Sequence, residues 1–184
     1  MEGKNKESSL VLESSLQCFF FDKLSELNKK SNNPLPNETI YYSSIVMDKF
    51  GESEKYFEII EGRVRNKILG QKLLETSNKN KSTQKRDLKD IGDTALLLCG
   101  YFSESLNGKL IDGRYYQELG IVAYKNLNSI VPQEFKIPSF YKKLSRSFEM
   151  ITNMMGIVAK QMQTNQMNQS DNIILILNKN IRAS

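Results

Sequence analysis

The sequence predicts an all-α protein, a single-domain bundle of about six helices followed by a tethered C-terminal peptide. Apolar residues recur every three or four positions through most of the chain, which is the period of an amphipathic helix. No stretch within the first 165 residues alternates apolar and polar residues convincingly, as a strand would. The length of 184 residues fits one domain.

Two helices are expected before residue 52. The first runs from about Ser9 to Lys30, and the segment SNNPLPN ends it because proline cannot continue a helix. Asn37 is expected to cap the second helix, and Gly51 is expected to end it. The apolar stripe of the first helix consists of Leu12, Leu16, Phe19, Phe20, Leu24 and Leu27.

Two more helices follow, separated by a polar loop. The third is expected over residues 52–76, and the run SNKNKSTQ (77–84) is expected to be a loop because it has no periodicity. The fourth is expected to include residues 88–106 and to stop at Gly108. Its apolar residues surround most of the helix, which places it at the centre of the bundle.

The last two helices are expected after Gly113 and from about Pro138, and the fifth ends near Val131. Seven apolar residues of the sixth helix have spacings of 3, 4, 3, 4, 3 and 4, which indicates a helix packed lengthwise on another. They are Tyr141, Leu144, Phe148, Ile151, Met155, Val158 and Met162. The bundle domain is therefore expected to comprise residues 1–163.

Residues 164–184 are expected to form a linker and a short apolar segment. The run QMQTNQMNQSDN (161–172) is polar and low in complexity. Five consecutive aliphatic residues follow it, and they are Ile173, Ile174, Leu175, Ile176 and Leu177. Such a run would promote aggregation if exposed, so it is expected to dock on its own bundle, on a second copy or on a partner.

The fourth helix contains two glycines, each of which costs about 1 kcal/mol relative to alanine in a helix interior. A close crossing with the small residues of the fifth helix would offset this cost. The alternative is that the glycines make room for a ligand between the two helices. The residues of this crossing or cleft are Gly92, Asp93, Gly100, Tyr101, Tyr116, Gly120 and Ala123.

Asp93 lies near the start of the fourth helix and away from its main apolar face. It is expected to be a structural charge that faces the helix dipole or pairs with a basic side chain such as Arg114. Glu104 lies three turns further on, about 16 Å along the axis, which is too far for the paired carboxylates of a glycosidase.

Residues 92–127, GDTALLLCGYFSESLNGKLIDGRYYQELGIVAYKNL, resemble a core found in uncharacterised small bacterial proteins. That core is roughly GD-x-AL-x-x-x-G-x-F-x-x-SL, a short basic turn, and D-x-x-YY-x-x-x-G-x-x-AY-x-x-L. The matching residues are Gly92, Asp93, Leu96, Gly100, Phe102, Ser105, Leu106, Tyr115, Tyr116, Gly120, Ala123, Tyr124 and Leu127. The resemblance implies a helical bacterial protein and brings no activity, substrate or cofactor.

The composition argues against several kinds of active site. Histidine is absent, which removes the commonest general base, the commonest zinc ligand and any Ser-His-Asp or Cys-His nucleophile. Cys18 and Cys99 are isolated in apolar surroundings, so both are expected to be buried and reduced. The sequence also shows no nucleotide-binding loop and no metal-ligand spacing, so we expect no enzyme, no metal and no cofactor.

The net charge of +5 is unevenly placed. Between residues 63 and 89, nine Lys or Arg residues and two acidic residues give +7. A basic surface of this kind would attract nucleic acid or another anionic partner, or would simply be solvated. Its candidate residues are Arg63, Arg65, Lys67, Lys72, Lys85, Arg86 and Lys89. A second basic cluster consists of Lys136, Lys142, Lys143 and Arg146.

These observations predict a non-enzymatic adaptor or regulatory protein that acts through protein–protein contacts, with a homodimer as one arrangement. The alternatives are nucleic-acid binding by the basic surface and small-molecule or lipid binding between the fourth and fifth helices. The N-terminus lacks the pattern of a secretory signal, and the apolar runs are too short to span a membrane. The expected compartment is the cytoplasm.

Overall fold

A computed structural model describes residues 7–49, 59–60, 63–64, 68–106 and 113–168. These residues form an all-α bundle with two very short β-hairpins, which confirms the predicted fold class. The helices are α1 (Glu7–Lys29), α2 (Asn37–Asp48), α3 (Ile68–Thr76), α4 (Lys81–Gly100), α5 (Ser103–Leu106), α6 (Gly113–Ile130), α7 (Phe140–Arg146) and α8 (Phe148–Asn168). The strands are β1 (Ile59–Ile60), β2 (Arg63–Val64), β3 (Gln133–Glu134) and β4 (Ile137–Pro138).

Helix α4 lies at the centre of the bundle, as predicted. Every residue from Ile91 to Leu98 is buried, so the helix is covered all round in its middle turns. Its most extensive contact is with α6, and it also packs on α8, α3 and α2. A mostly apolar helix is stable in water only when neighbours cover each of its faces, and these four helices do so.

The first two helices lie close to their predicted positions, but Phe19 of the predicted apolar stripe is 37% exposed, and α2 ends at Asp48 with Lys49 as its C-cap rather than at Gly51. Asn28 closes the turn between them, because its amide donates to the carbonyl of Leu35 (2.8 Å) and accepts from the Leu35 N–H (2.7 Å). The expected cap at Asn37 is wrong. Pro36 occupies the N-cap position, no side chain caps α2, and Asn37 is the first helical residue.

The prediction of one helix over residues 52–76 is also wrong. β1 and β2 form an antiparallel pair in which Ile59 faces Val64, and α3 begins only at Ile68. Apolar residues such as Ile59, Ile60 and Val64 suit a helix or a strand equally in so short a run, and β-branched residues favour the strand.

The predicted loop over residues 77–84 is shorter than expected. The side chain of Asn80 accepts a hydrogen bond from the Thr83 N–H (2.9 Å) and caps α4, which therefore begins at Lys81. The far end of α4 also differs. The helix ends at Gly100, and Ser103–Leu106 forms a separate turn, α5.

The predicted sixth helix consists of two helices, α7 and α8, that meet at Ser147. All seven residues of its apolar seam are buried or half-buried in the core, as predicted. The strands β3 and β4 precede α7, with Gln133 opposite Pro138. With β1 and β2, they contradict the expectation that the first 165 residues contain no strand.

Two expectations concern the ends of the chain. Helix α8 continues to Asn168, so the predicted boundary after residue 163 falls within this helix, and the division into a bundle and a linker stays a prediction. The aliphatic run 173–177 lies outside the described residues. None of the described helices combines the length and hydropathy needed to cross a membrane.

The two cysteines occupy different environments. Cys99 is half-buried, and burial raises the pKa of its thiol to about 12. Cys18 is exposed on α1, so the expectation that it is buried is wrong. Its neighbour Phe20, two positions further along α1, faces the core instead.

Candidate functional site

A buried acid joins three helices in the middle of the bundle. Asp93 on α4 is 2% exposed. Its Oδ1 atom accepts hydrogen bonds from the hydroxyls of Tyr42 (2.5 Å) and Tyr124 (3.0 Å). Its Oδ2 atom accepts from the ammonium groups of Lys49 (2.8 Å) and Lys89 (2.9 Å). We call these five residues the Asp93 cluster, and they link α2, α4 and α6.

The electrostatics of the Asp93 cluster favour one set of protonation states. Burial acts to raise the pKa of Asp93, but the charges of Lys89 and Lys49 outweigh it, and the pKa lies below its usual value. Burial raises the pKa of Tyr42 and Tyr124 well above the usual value, and the nearby carboxylate raises it further. The acid is therefore ionised, and both tyrosines are protonated donors.

The Asp93 cluster is closed, because each carboxylate oxygen already has two donors. Lys89 also donates to the Tyr42 hydroxyl (2.9 Å), and its Nζ atom lies 4.8 Å from the centre of the Tyr42 ring. A general base needs a lone pair that can reach a substrate proton. The Asp93 cluster instead holds α2, α4 and α6 in position. The pairing suggested with Arg114 is replaced by the two lysines.

The glycines of α4 mark two different helix contacts. A Cβ atom at Gly92 would lie 2.5 Å from the Tyr124 ring, and one at Gly120 would lie 2.5 Å from the Phe148 ring. Gly92 therefore permits the close approach of α4 and α6, whereas the space at Gly120 is taken by Phe148 of α8 and by Ala95 of α4, whose Cβ atom is 2.9 Å away. At Gly100 the neighbour is Met155 on α8, 2.7 Å away, rather than a residue of α6. Protein side chains fill all three spaces, so none of them is open to a ligand.

The remaining residues of the predicted crossing or cleft lie in separate places. Ala123 is fully buried in the main core, whereas Tyr116 packs with Leu98 and Leu106 in a smaller cluster. Tyr101 is half-buried and contacts the Phe20 ring edge-on at 6.4 Å. Burial raises the pKa of Tyr101 and of Tyr116 to about 12. The structure does not bring these residues together around one cavity.

The basic stretch 63–89 is partly neutralised by acids within the bundle. Lys72 pairs with Asp90 (2.5 Å), and Lys89 pairs with Asp93. Lys79, another cation of this stretch, pairs with Asp87 (2.8 Å). Lys85 and Arg86 are exposed on α4. Of the other candidates, Arg65 and Lys67 lie outside the described residues, and Arg63 is described only as part of β2.

A surface that the sequence analysis missed is a set of three aromatic rings, Phe21, Tyr41 and Phe135, which we call the aromatic patch. The ring centroids are 6.3 Å apart for Phe21 and Tyr41, and 6.5 Å apart for Tyr41 and Phe135, both with edge-to-face geometry. Tyr41 is 45% exposed and Phe135 is 46% exposed. The three residues come from α1, α2 and the β3–β4 turn, so only the fold brings them together.

The turn between β3 and β4 presents Phe135 to the aromatic patch. Phe135 and Lys136 have φ values of 50° and 60°, the pattern of a type I′ hairpin turn. Such turns favour asparagine and glycine, because a side chain costs about 1–2 kcal/mol in this conformation. The Phe135 ring contacts the buried rings of Phe140 (5.3 Å) and Tyr42 (6.3 Å), which offsets this cost. The patch therefore rests on the rigid core beside the Asp93 cluster.

The sequence contains a signal for one contact of the Asp93 cluster and none for the turn of the aromatic patch. Asp93 and Lys89 are four positions apart on one helix, the spacing at which opposite charges meet. The two residues between Glu134 and Ile137, Phe135 and Lys136, include no glycine or asparagine, so nothing local indicates a hairpin turn.

Within the described part of the chain, no group of three or more acidic or cysteine side chains is placed to hold a metal ion. No protein-family model, curated protein or solved structure matches this chain. The resemblance to uncharacterised bacterial proteins therefore stays a prediction.

Proposed function

We propose that this protein is a non-enzymatic adaptor or regulator that binds a protein partner through the aromatic patch. The observation that supports this is the contact of three rings from three elements, two of them nearly half exposed. Tyrosine and phenylalanine are enriched in the buried centres of protein interfaces, where a few residues supply most of the binding energy.

The rings of the aromatic patch are already held in place before a partner arrives. Phe135 contacts Phe140 and Tyr42, and the Tyr42 hydroxyl is fixed by Asp93. Ordering a mobile side chain costs about 0.5–1.5 kcal/mol on binding, and a ring that is already packed avoids most of this loss. A partner that places apolar side chains against the patch would therefore gain the burial energy at a small entropic cost.

The proposed compartment is the cytoplasm. Cys18 is exposed, and Cys99 is half-buried and donates a weak hydrogen bond to the Gly113 carbonyl (3.5 Å). Both cysteines are free. Unpaired and accessible thiols are typical of proteins in a reducing compartment.

The proposal is tested by affinity capture with the tagged full chain and two variants. The patch variant combines Tyr41→Ala and Phe135→Ala. The control combines Val122→Ala and Ile157→Ala, which removes side chains of similar exposure (41% and 45%) from α6 and α8. A partner of the patch should be captured by the unaltered chain and the control, and at least about tenfold less by the patch variant, because hot-spot truncations cost about 2 kcal/mol or more.

Equal capture by the patch variant and the unaltered chain would contradict the proposal, provided that circular dichroism shows both to be folded. Analytical ultracentrifugation identifies a second copy as the partner. In that case the unaltered chain and the control sediment as dimers, and the patch variant sediments as a monomer.

A further inference from the structure

A second surface, which contains none of the aromatic patch, is a concave cleft between α6 and α7. Its volume is about 470 Å³, within the range of about 300–1,000 Å³ for small-molecule sites. The residues that line it are Lys125, Asn128, Ser129, Lys142, Ser145 and Arg146. We call it the basic cleft.

The basic cleft has three positive charges and no acidic residue in its lining. Lys125, Lys142 and Arg146 make no ion pair within the described residues, unlike Lys72, Lys79 and Lys89 of the 63–89 stretch. Like charges placed around one concavity focus the electric field there and raise the local concentration of ions of the opposite sign. The charge arrangement therefore suits an anion.

The walls of the basic cleft are fixed by contacts on both sides. The side-chain carbonyl of Asn128 on α6 accepts a hydrogen bond from the backbone N–H of Lys142 on α7 (3.1 Å). The same two helices are also joined by the rings of Tyr124 on α6 and Tyr141 on α7, which stack with their centroids 6.0 Å apart. Within the part of the chain that the structure describes, the Asn128 amide nitrogen has no acceptor, so it can donate to a ligand.

We propose that the basic cleft binds a small anion with two linked phosphate groups. One phosphate monoester has a charge of about −1.5 to −2 near neutral pH, so three cations match a ligand with more than one phosphate. The cleft volume also exceeds the space that a single phosphate needs. Arg146 would hold phosphate oxygens with its planar pair of donors, and Lys125 and Lys142 would act as point charges.

The test is isothermal titration calorimetry of the full chain with inorganic pyrophosphate at low ionic strength. The expected result is saturable binding of one pyrophosphate per chain. The cleft variant combines Lys125→Gln, Lys142→Gln and Arg146→Gln, and it should bind at least about tenfold more weakly, because it lacks all three positive charges of the lining. The absence of binding by the unaltered chain would overturn the proposal.

A matched control removes the same charge from the exposed face of α4. It combines Lys81→Gln, Lys85→Gln and Arg86→Gln, and its affinity for pyrophosphate should stay within about twofold of the unaltered chain. An equal loss in both variants would show general attraction by net charge and would overturn the proposal. Chemical-shift changes in the unaltered chain provide a second measurement, and they should centre on Asn128 and Ser145.

A further titration, with adenosine diphosphate, distinguishes a free diphosphate ligand from a larger diphosphate ester. Adenosine diphosphate that binds more tightly than pyrophosphate would indicate a nucleotide, and equal affinity would indicate recognition of the phosphates alone. Both results support the proposed chemistry. Binding of duplex DNA or of anionic vesicles without binding of pyrophosphate would contradict it.

Discussion

Asp93 shows how one charged residue can be stable in an apolar core. Transfer of a carboxylate out of water is unfavourable by several kcal/mol unless partners replace the lost solvent. Here two tyrosine hydroxyls and two ammonium groups occupy both oxygens. The lysine side chains are about one third exposed, so their own charges keep part of their hydration. The geometry therefore desolvates the acid fully and its counter-ions only in part.

Replacement of Asp93 by asparagine should lower the free energy of unfolding at neutral pH by about 3 kcal/mol. Loss of one member of a buried ion pair typically costs about 3–5 kcal/mol, and the lower end applies because Lys49 and Lys89 can turn towards water. The measurement is urea-induced unfolding followed by circular dichroism.

The control for this substitution is Asp90→Asn, three positions away on the same helix. Asp90 pairs with Lys72 at the surface and has a half-exposed side chain. Its loss should cost less than about 1 kcal/mol, as is typical of exposed ion pairs. If Asp93→Asn were as mild as Asp90→Asn, the cluster would not be a principal contact of the fold.

Part of the Asp93 cluster was within reach of the sequence and part was not. The pair Lys89–Asp93 has helical spacing and is visible along the chain. Tyr42 and Lys49 lie 51 and 44 positions away from Asp93, so their approach depends on how α2 packs against α4. Local propensity has no information about such distant partners. The contact of Phe21, Tyr41 and Phe135 could not be predicted for the same reason.

At the scale of elements, the β3–β4 hairpin combines a strained turn with a well-packed ring. Two residues with positive φ connect its strands, and neither is glycine. Phe135 is held by the rings beneath it, whereas Lys136 is exposed. Packing against these rings offsets the backbone strain at Phe135, the first turn residue. Lys136, the second turn residue, lacks such packing, so its strain is not offset.

Lys136→Gly should therefore stabilise the protein. Removal of about 1–2 kcal/mol of left-handed strain is partly cancelled by the greater freedom of glycine in the unfolded chain, so the expected net gain is about 0.5–1 kcal/mol. Thermal and urea unfolding would measure it. The matched control is Lys136→Ala, which removes the charge but keeps the strain and should give no gain.

A stability of Lys136→Gly equal to that of Lys136→Ala would contradict the assignment of strain to this turn. The companion variant Phe135→Gly separates packing from strain. It relieves the backbone but removes the contacts with Phe140 and Tyr42, and it should therefore be destabilising.

The helices were more predictable than their ends. The apolar seam of α7 and α8 follows from spacing alone, because buried residues on one helix face must recur every three or four positions. The break at Ser147 leaves this spacing unchanged, so the pattern cannot show it. The sequence pattern does not indicate the cap at Asn80, because the residues after it are polar. An exposed first turn of a helix has no apolar residues whose spacing could reveal it.

At the scale of the whole molecule, ion pairing distinguishes the basic surfaces of this bundle from one another. Acids neutralise the cations at Lys72, Lys79 and Lys89, whereas those of the basic cleft are left to a ligand. The chain contains no histidine, so no side chain has an ordinary pKa between those of the carboxyls and the thiols. Because histidine is absent, the free energy of unfolding is expected to depend on pH through the carboxyls and the tyrosine hydroxyls.

The free energy of unfolding should stay constant between about pH 5.5 and 8.5 and fall on both sides. Lys89 and Lys49 lower the pKa of buried Asp93, and Lys79 lowers that of Asp87. Such carboxyls stabilise the fold above their unfolded pKa of about 4, and the effect is lost as the pH falls through the folded pKa. Burial raises the pKa of Tyr42 and Tyr124, so their contribution is complete below the unfolded pKa of about 10 and is lost as the pH rises further.

Urea unfolding at a series of pH values measures this profile, and Asp93→Asn is its internal control. Without the carboxylate, the decline of stability in acid should be shallower than in the unaltered chain, because one fewer group binds a proton on unfolding. The decline in alkali should remain, since the buried hydroxyls of Tyr42 and Tyr124 are still present. A step in stability between about pH 6 and 7.5 would contradict the account, because no side chain in this sequence ordinarily titrates there.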